Sequence, residues 1–475
     1  MTTSYAPIGL YINGEWRQAA ETLPVIDPAT TSEIGRVPVA SKADLDDALT
    51  AAEAGFRLWS GMGVDKRTPI LKAAVQLLRD RAQAIGAIMS REQGKPIAEA
   101  KAEIMRSAAL LEWDIEEGRR LYGRVIDGAA GMSNLALRRP IGPIAAFTPW
   151  NFPASIPARK LGALAAGCSI ILKPAEETPA TACAMVQCFA DAGLPAGVLN
   201  LVFGNPAEIS DYLIGSPIIR MATLTGSVPV GKIVASKAAA MMKPAVMELG
   251  GHAPVIICED ADFARIGEMA VLAKFRNAGQ ICTCPTRFLV HRSGYEAFLS
   301  AFAAATEKLK IGRGDDPQSQ MGPLVNARRL EAVDELVQDA VARGARLVTG
   351  GRRIGDEGWF YQPTILADVP LDARAMQEEP FGPIALVVAF DELDQAIAIA
   401  NSVPFGLASY AFTESARNVA RLTNEVEAGL LSINHFGASQ PEGPFGGVKE
   451  SGLGQEGGVE GLLSFTSVRY IQHKY

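Results

Sequence analysis

From Ile141 to Gly204 the sequence alternates short apolar runs with helical stretches, and this rhythm restricts the fold more than any other feature of the 475-residue chain. Ile144-Ala145-Ala146-Phe147 reads as a strand, 154–166 as a helix, Ser169 to Lys173 as a strand, 178–192 as a helix and Leu199 to Gly204 as a strand. Strands joined through helices run parallel, because only a long crossover returns the chain to the same end of a sheet. Helices then cover both faces, and ligands sit beyond the carboxyl ends of the strands, where Lys173 and Gly204 fall. After Gly250-Gly251 the rhythm restarts: Pro254 to Ile257 as strand, 261–278 as helix, Arg287 to His291 as strand and 293–309 as helix. A helix over 323–343 and strands near 346–349 and 384–390 follow. The chain is too long for one ordinary core, so two α/β units are expected.

What flanks these units is less regular. Residues 8–40 alternate apolar and polar positions with turn residues between them, which predicts short strands. Ser41 caps a helix with Leu45, Ala48, Leu49, Ala52 and Phe56 on one face, and helices over 67–92 and 97–118 are separated by Gly94-Lys95-Pro96. Residues 119–142 read as an exposed strand pair, and the tail from Ser464 to Gln472 is strand-like enough to complete that edge.

Composition excludes several functions. A net charge of −7 offers no basic surface for nucleic acid or an acidic membrane. Cys168, Cys183, Cys188, Cys258, Cys282 and Cys284 show no paired framework and read as reduced thiols; the four histidines are scattered, so no metal is expected. The longest apolar run, Leu161 to Leu172, is short and interrupted by glycines, and the N-terminus lacks a basic region followed by an apolar core. A cytoplasmic location is expected.

The stretch Lys274 to Pro285 carries the sharpest chemistry. It sets Cys282 after Gly279-Gln280-Ile281, Cys284 two residues on, and cations just upstream. A thiol acts as a nucleophile when it is reachable and its thiolate is stabilised, and a backbone N–H beside it can face a developing oxyanion. A buried cysteine pair would look the same. Other stretches are as open. Asn151, between prolines in Thr148-Pro149-Trp150-Asn151-Phe152-Pro153, can aim an amide at negative charge or simply serve a turn. Lys173 and Glu176 can bind a ribose diol or form an exposed pair. Thr225-Gly226-Ser227 opens a helix, where free N–H groups suit a phosphate. Glu248, before Gly250-Gly251, is a carboxylate among apolar residues and so a potential general base, and Glu379 lies in a proline-bracketed loop.

Taken in order, PWNFP, KPAE, TGSVPVG, ELGG, GQIC, EEPFGP and PFGGVKESG resemble the aldehyde dehydrogenase superfamily over essentially the whole chain. The resemblance implies a Rossmann-type cofactor domain (1–121 and 143–250), an α/β catalytic domain (251–445) and a small oligomerisation sheet (122–142 and 459–475). It implies that Cys282 attacks the aldehyde, that Asn151 and the Cys282 N–H hold the oxyanion, and that hydride leaves to a nicotinamide. Glu248 would then activate the water that hydrolyses the thioester; CoA-acylating relatives typically lack this base. Trp150, Lys173, Glu176, Thr225, Gly226, Ser227, Glu379 and Phe381 map to the cofactor. Glu176 would repel a 2′-phosphate, which favours NAD over NADP.

Within the superfamily the chain is most similar to succinate-semialdehyde dehydrogenases. Arg159, Arg276 and Ser439 match residues that grip the substrate carboxylate there, and Cys282-Thr283-Cys284 is shared, so a redox pairing of Cys284 with Cys282 is a further expectation. His435 and Phe436 depart from that pattern and would suit an aromatic or longer aldehyde. A homodimer or homotetramer follows from the family's shared sheet. The rival of another class is a non-catalytic structural protein on the same fold, against which the joint presence of Cys282, Glu248 and Asn151 argues.

Overall fold

Two large sheets divide the chain near Gly250, in a computed structural model that describes residues 5–475. The first has eight strands in the order Glu15–Arg17, Leu10–Ile12, Leu199–Leu201, Ser169–Lys173, Pro143–Phe147, Met221–Thr225, Ala245–Glu248 and Gly452–Leu453. Pro143–Phe147 and Ser169–Lys173 are buried at every residue, as parallel strands covered on both faces must be. The register sets Phe147 opposite Lys173 and Leu224, and Thr225 opposite Glu248, so the loops after these strands leave the sheet along one edge.

The second sheet has seven strands, in the order Arg346–Thr349, Thr364–Ala367, Ile384–Phe390, Pro285–His291, Ala253–Ile257, Ala408–Phe412 and Leu430–Ile433. Its central strands are parallel too. The loops carrying Gly250-Gly251, Cys282 and Glu379 precede strands of this sheet, so the amino edge of the second sheet meets the carboxyl edge of the first. One glycine allows that approach, and another lets two loops of the second sheet pack against each other. A Cβ on Gly250 would lie 2.3 Å from Glu379 Oε2, and one on Gly279, whose φ is +71°, would lie 2.1 Å from the Gly382 carbonyl.

A third sheet stands apart. Thr466–Lys474 pairs antiparallel with Met132–Pro140, from Thr466 opposite Pro140 to Lys474 opposite Met132, and Arg124–Ile126 lies on the other side. Val125, Val468 and Tyr470 are exposed on it, an apolar surface that an isolated edge would not favour.

Local differences from the sequence reading have physical causes. The helix expected over 67–92 is two, Val64–Asp80 and Ala82–Gln93, broken at Arg81 (φ −96°, ψ 4°). Buried Leu71, Ala74, Val75, Leu78, Ala82, Ile85 and Met89 keep helical spacing across that break, which hides it. The helix expected over 261–278 stops at Phe275, and Asn277 and Ala278 take left-handed φ values of 50° and 53°. Ser41 caps Lys42–Gly61 with reciprocal bonds to Asp44. Among the described residues no helix is long and apolar enough to cross a membrane, and no cluster of metal-ligating side chains occurs.

Candidate active site

The left-handed turn at Asn277 and Ala278 folds the chain back so that Cys282 faces the junction of the two sheets. Non-glycine residues adopt this conformation at a cost, and here side-chain bonds fix it. Asn277 Nδ2 donates to the Asn151 carbonyl at 3.0 Å, Asn151 Nδ2 donates to the Gln280 carbonyl at 3.1 Å, and Gln280 Oε1 accepts from Val325 N at 3.0 Å. Tyr410 Oη donates to the Thr283 carbonyl at 2.7 Å. Cys282 is half-buried, whereas the other five cysteines are buried.

Burial pushes the Cys282 thiol up to about 12, with Glu379 and Glu248 adding to the rise. The sequence reading looked to the cations upstream to stabilise this thiolate; the structure places them elsewhere. Lys274 is fully buried and donates to Cys284 Sγ at 3.3 Å, and Arg276 is exposed. Cys284 is buried against Lys274, its thiol raised by burial and opposed by that lysine. Burial and the two carboxylates therefore favour the thiol over the thiolate at Cys282.

Asn151 is 2% exposed, and its Oδ1 has no partner. Its loop is pegged from behind. Lys95 Nζ donates to the Asn151 carbonyl at 2.8 Å and to Glu103 Oε2 at 2.5 Å, 4.2 Å from the Phe152 ring centroid. Glu103 Oε1 accepts from Ala154 N and Ser155 N, at the start of Ser155–Leu161. Lys95 entered the sequence reading only as part of a helix break; a lysine between Gly94 and Pro96 carried no other signal.

Glu248 ends its strand 2% exposed, with neither carboxylate oxygen hydrogen-bonded. Burial raises it well above the usual carboxylate range, Glu456 raises it further, and Lys160 and Arg159 oppose the rise. Lys160 and Glu456 form a wholly buried ion pair, and Thr223 Oγ1 donates weakly to Glu456 Oε1 at 3.5 Å. Sequence reasoning missed both. A lysine inside the buried run Ile156 to Leu161 was the available clue.

Along the first sheet's carboxyl edge, Lys173 Nζ pairs with Glu176 Oε1 at 2.5 Å, and Gly204 N donates to the same oxygen at 3.2 Å. Thr225 Oγ1 is buried without a partner, and Ser227 precedes Val228–Ala240 with no side-chain cap, leaving the first N–H groups of that helix free. Across the cleft, Phe381 meets Trp150 edge to face at 5.5 Å. Glu379 Oε1 accepts from Gly251 N at 3.0 Å, and burial raises its carboxyl to about 7. An orphaned hydroxyl, a free helix start and an aromatic pair along one cleft suit a dinucleotide.

On the far side of Glu248, Arg159 Nη2 donates to Ser439 Oγ at 2.7 Å, its guanidinium carbon lies 4.5 Å from the Phe445 ring centroid, and its buried Nη1 has no partner. Phe436 is half-buried against Tyr410 and Phe412, at 5.5 and 4.9 Å between ring centroids. His435 is exposed and accepts from Gly437 N, which makes it a turn residue.

Fold and site together define a two-sheet α/β oxidoreductase with a thiol, an isolated carboxyl and a cleft suited to a dinucleotide at one junction. The chain belongs to the aldehyde dehydrogenase family, whose sequence model matches residues 16–471. It is 48% identical over 476 aligned residues to a 4-(hydroxymethyl)benzenesulfonate dehydrogenase of Comamonas testosteroni, covering 99% of both chains. It is 40% identical to a succinate semialdehyde dehydrogenase of Acinetobacter baylyi, covering 97% of this chain and 96% of that one. The crystal structure of a succinate-semialdehyde dehydrogenase from Burkholderia pseudomallei superposes with a TM-score of 0.97 at 40% identity, over 100% of both chains.

Proposed function

We propose that this aldehyde dehydrogenase oxidises an aldehyde bearing a distal anion to its carboxylic acid through a covalent intermediate on Cys282. The observation that carries the substrate class is Arg159: a buried guanidinium whose Nη1 has no partner beside a serine hydroxyl is a waiting anion site. Arg276 and Ser439 complete the grip.

Cys282 Sγ adds to the carbonyl carbon as its proton passes to solvent water, and the charge that builds on oxygen is met by Asn151 Nδ2 and the Cys282 N–H. Bound dinucleotide supplies the hydride acceptor, and loss of hydride leaves the acyl group as a thioester on Cys282. Glu248, unpartnered and with a raised pKa, takes a proton from water as that water attacks the thioester. Acid departs, and the thiol returns. The buried Lys160–Glu456 pair fixes the electrostatic setting of this base.

The family uses NAD(P). Glu176 favours NAD here, since its carboxylate at the ribose position would face a 2′-phosphate, although Lys173 partly neutralises it. An aromatic substrate body is the second reading, favoured by the half-buried Phe436–Tyr410 contact near Cys282 and by the benzenesulfonate relative. The third sheet, with its exposed apolar residues, is the proposed contact of a homodimer or homotetramer.

The test is steady-state oxidation of succinate semialdehyde, para-carboxybenzaldehyde and benzaldehyde with each dinucleotide. Arg159→Ala and Arg276→Ala should each raise KM for the two anionic aldehydes by roughly tenfold or more and leave benzaldehyde nearly unchanged. Equal effects on all three sink the anion reading.

A further inference from the structure

Arg106 lies on the helix Ile97–Gly118, one turn beyond Glu103, and its Nη2 donates to the Ser439 backbone carbonyl at 2.8 Å. Ser439 is also the residue whose hydroxyl takes the hydrogen bond from Arg159. Two guanidinium groups from separate helices thus close on one loop residue. Arg276 approaches from a third element: beside partial desolvation at its exposed position, the charges of Arg159 and Arg276 depress the Arg106 guanidinium. The three arginines thus lie near enough to feel one another's charge.

Carboxylates act on them without pairing directly: Glu103 on Arg106, Glu99 on Arg276, and Asp114 and Glu248 on Arg159. Among the described residues none of the three makes a salt bridge, and Arg159 Nη1 is buried without any partner. Glu103 is committed to Lys95 and to the N–H groups of Ala154 and Ser155. Asp114 is pushed up to about 8 by burial, and so is mostly protonated at neutral pH. Glu99 is raised to about 7 by burial and accepts from Asn277 N. Like charges gathered without a directly paired counter-ion are unfavourable, and an anion touching all three offsets that cost.

We propose that Arg106 is a third substrate-binding arginine, and that with it the subsite prefers a distal anion with three oxygens, a sulfonate, over a carboxylate. A carboxylate offers two oxygens in one plane, which the Arg159 and Arg276 guanidinium groups and the Ser439 hydroxyl satisfy without Arg106. A sulfonate directs three oxygens to three sides, matching donors that arrive from the helix of Arg106, the helix of Arg159 and the turn of Arg276. This rests on the reading of Arg159, Arg276 and Ser439 as the anion grip. Arg106 is exposed, so its replacement removes no core packing.

The experiment measures kcat/KM of wild type, Arg106→Ala and Arg106→Gln for para-sulfobenzaldehyde, para-carboxybenzaldehyde and benzaldehyde, which share one rigid body. Wild type should favour the sulfonate, and each variant should lose roughly tenfold to hundredfold on the sulfonate, under about threefold on the carboxylate and almost nothing on benzaldehyde. If Arg106 only holds the Ser439 loop, all three substrates fall in equal proportion and the proposal is overturned. Equal losses on both anions overturn the oxygen-count preference. A wild type that favours anionic aldehydes, with variants indistinguishable from it, overturns this inference and leaves the anion grip standing. A wild type indifferent to the anion overturns both.

Discussion

Lys95 Nζ donates to the carbonyl of Asn151 at 2.8 Å, from a position fully enclosed by protein. The same ammonium neutralises Glu103, which holds the two N–H groups after the Asn151 loop. A residue at a helix break thereby holds the backbone of Asn151 in place.

Lys95→Met should test that arrangement. Removing one partner of a buried pair leaves Glu103 unpaired, and the expected loss of stability is about 3–5 kcal/mol by denaturant unfolding. Adding Glu103→Gln should recover part of the stability. Activity should fall in kcat more than in KM, because the misplaced amide serves the oxyanion and not the bound aldehyde.

Glu456 bears on the base. In Glu456→Gln the Lys160 charge is left buried alone, with an expected cost of about 3–5 kcal/mol. The variant also removes a charge that raises Glu248, so the acidic limb of the kcat profile should move to lower pH. An unmoved limb would mean that Glu248 is not the group titrating in kcat.

Asp114 gives a stability prediction with a definite sign. Its carboxyl is raised to about 8 in the folded protein, by burial first and by Glu456 second, against an ordinary value near 4. Between those values the folded chain holds a proton that the unfolded chain has released. Its stabilising contribution is therefore complete at the acid end and lost as pH rises from about 4 to about 8. Asp114→Asn should match wild type near the acid end of that window and melt higher than wild type above it. Melting curves across the window decide the matter.

Legibility followed from the kind of interaction involved. The parallel sheets were readable because strands buried on both faces have no polar alternation, as in Ile144 to Phe147. The break at Arg81 was not readable, because apolar spacing runs through it. Cys282, Asn151 and Glu248 sit in short local motifs next to glycine or proline. The register that aligns Phe147, Lys173, Thr225 and Glu248 brings Asn151 and Glu248 to one edge, and Cys282 arrives from the loop before a strand of the second sheet. Lys95, Lys160, Glu103 and Glu456 are single charged residues whose partners lie far along the chain. Lys160 and Glu456 are separated by 296 positions, a pairing that no local pattern encodes. The cations before Cys282 looked like activators of its thiolate; only the folded chain shows Lys274 turned to Cys284.

The most direct measurement of the central claim is the intact and peptide mass of Glu248→Gln mixed with succinate semialdehyde and dinucleotide. With the base removed, the thioester should accumulate, and the peptide holding Cys282 should gain the mass of the substrate acyl group, while Cys282→Ala in the same background gains none. Absence of an acyl adduct despite dinucleotide reduction, or an adduct on another cysteine, would contradict the account.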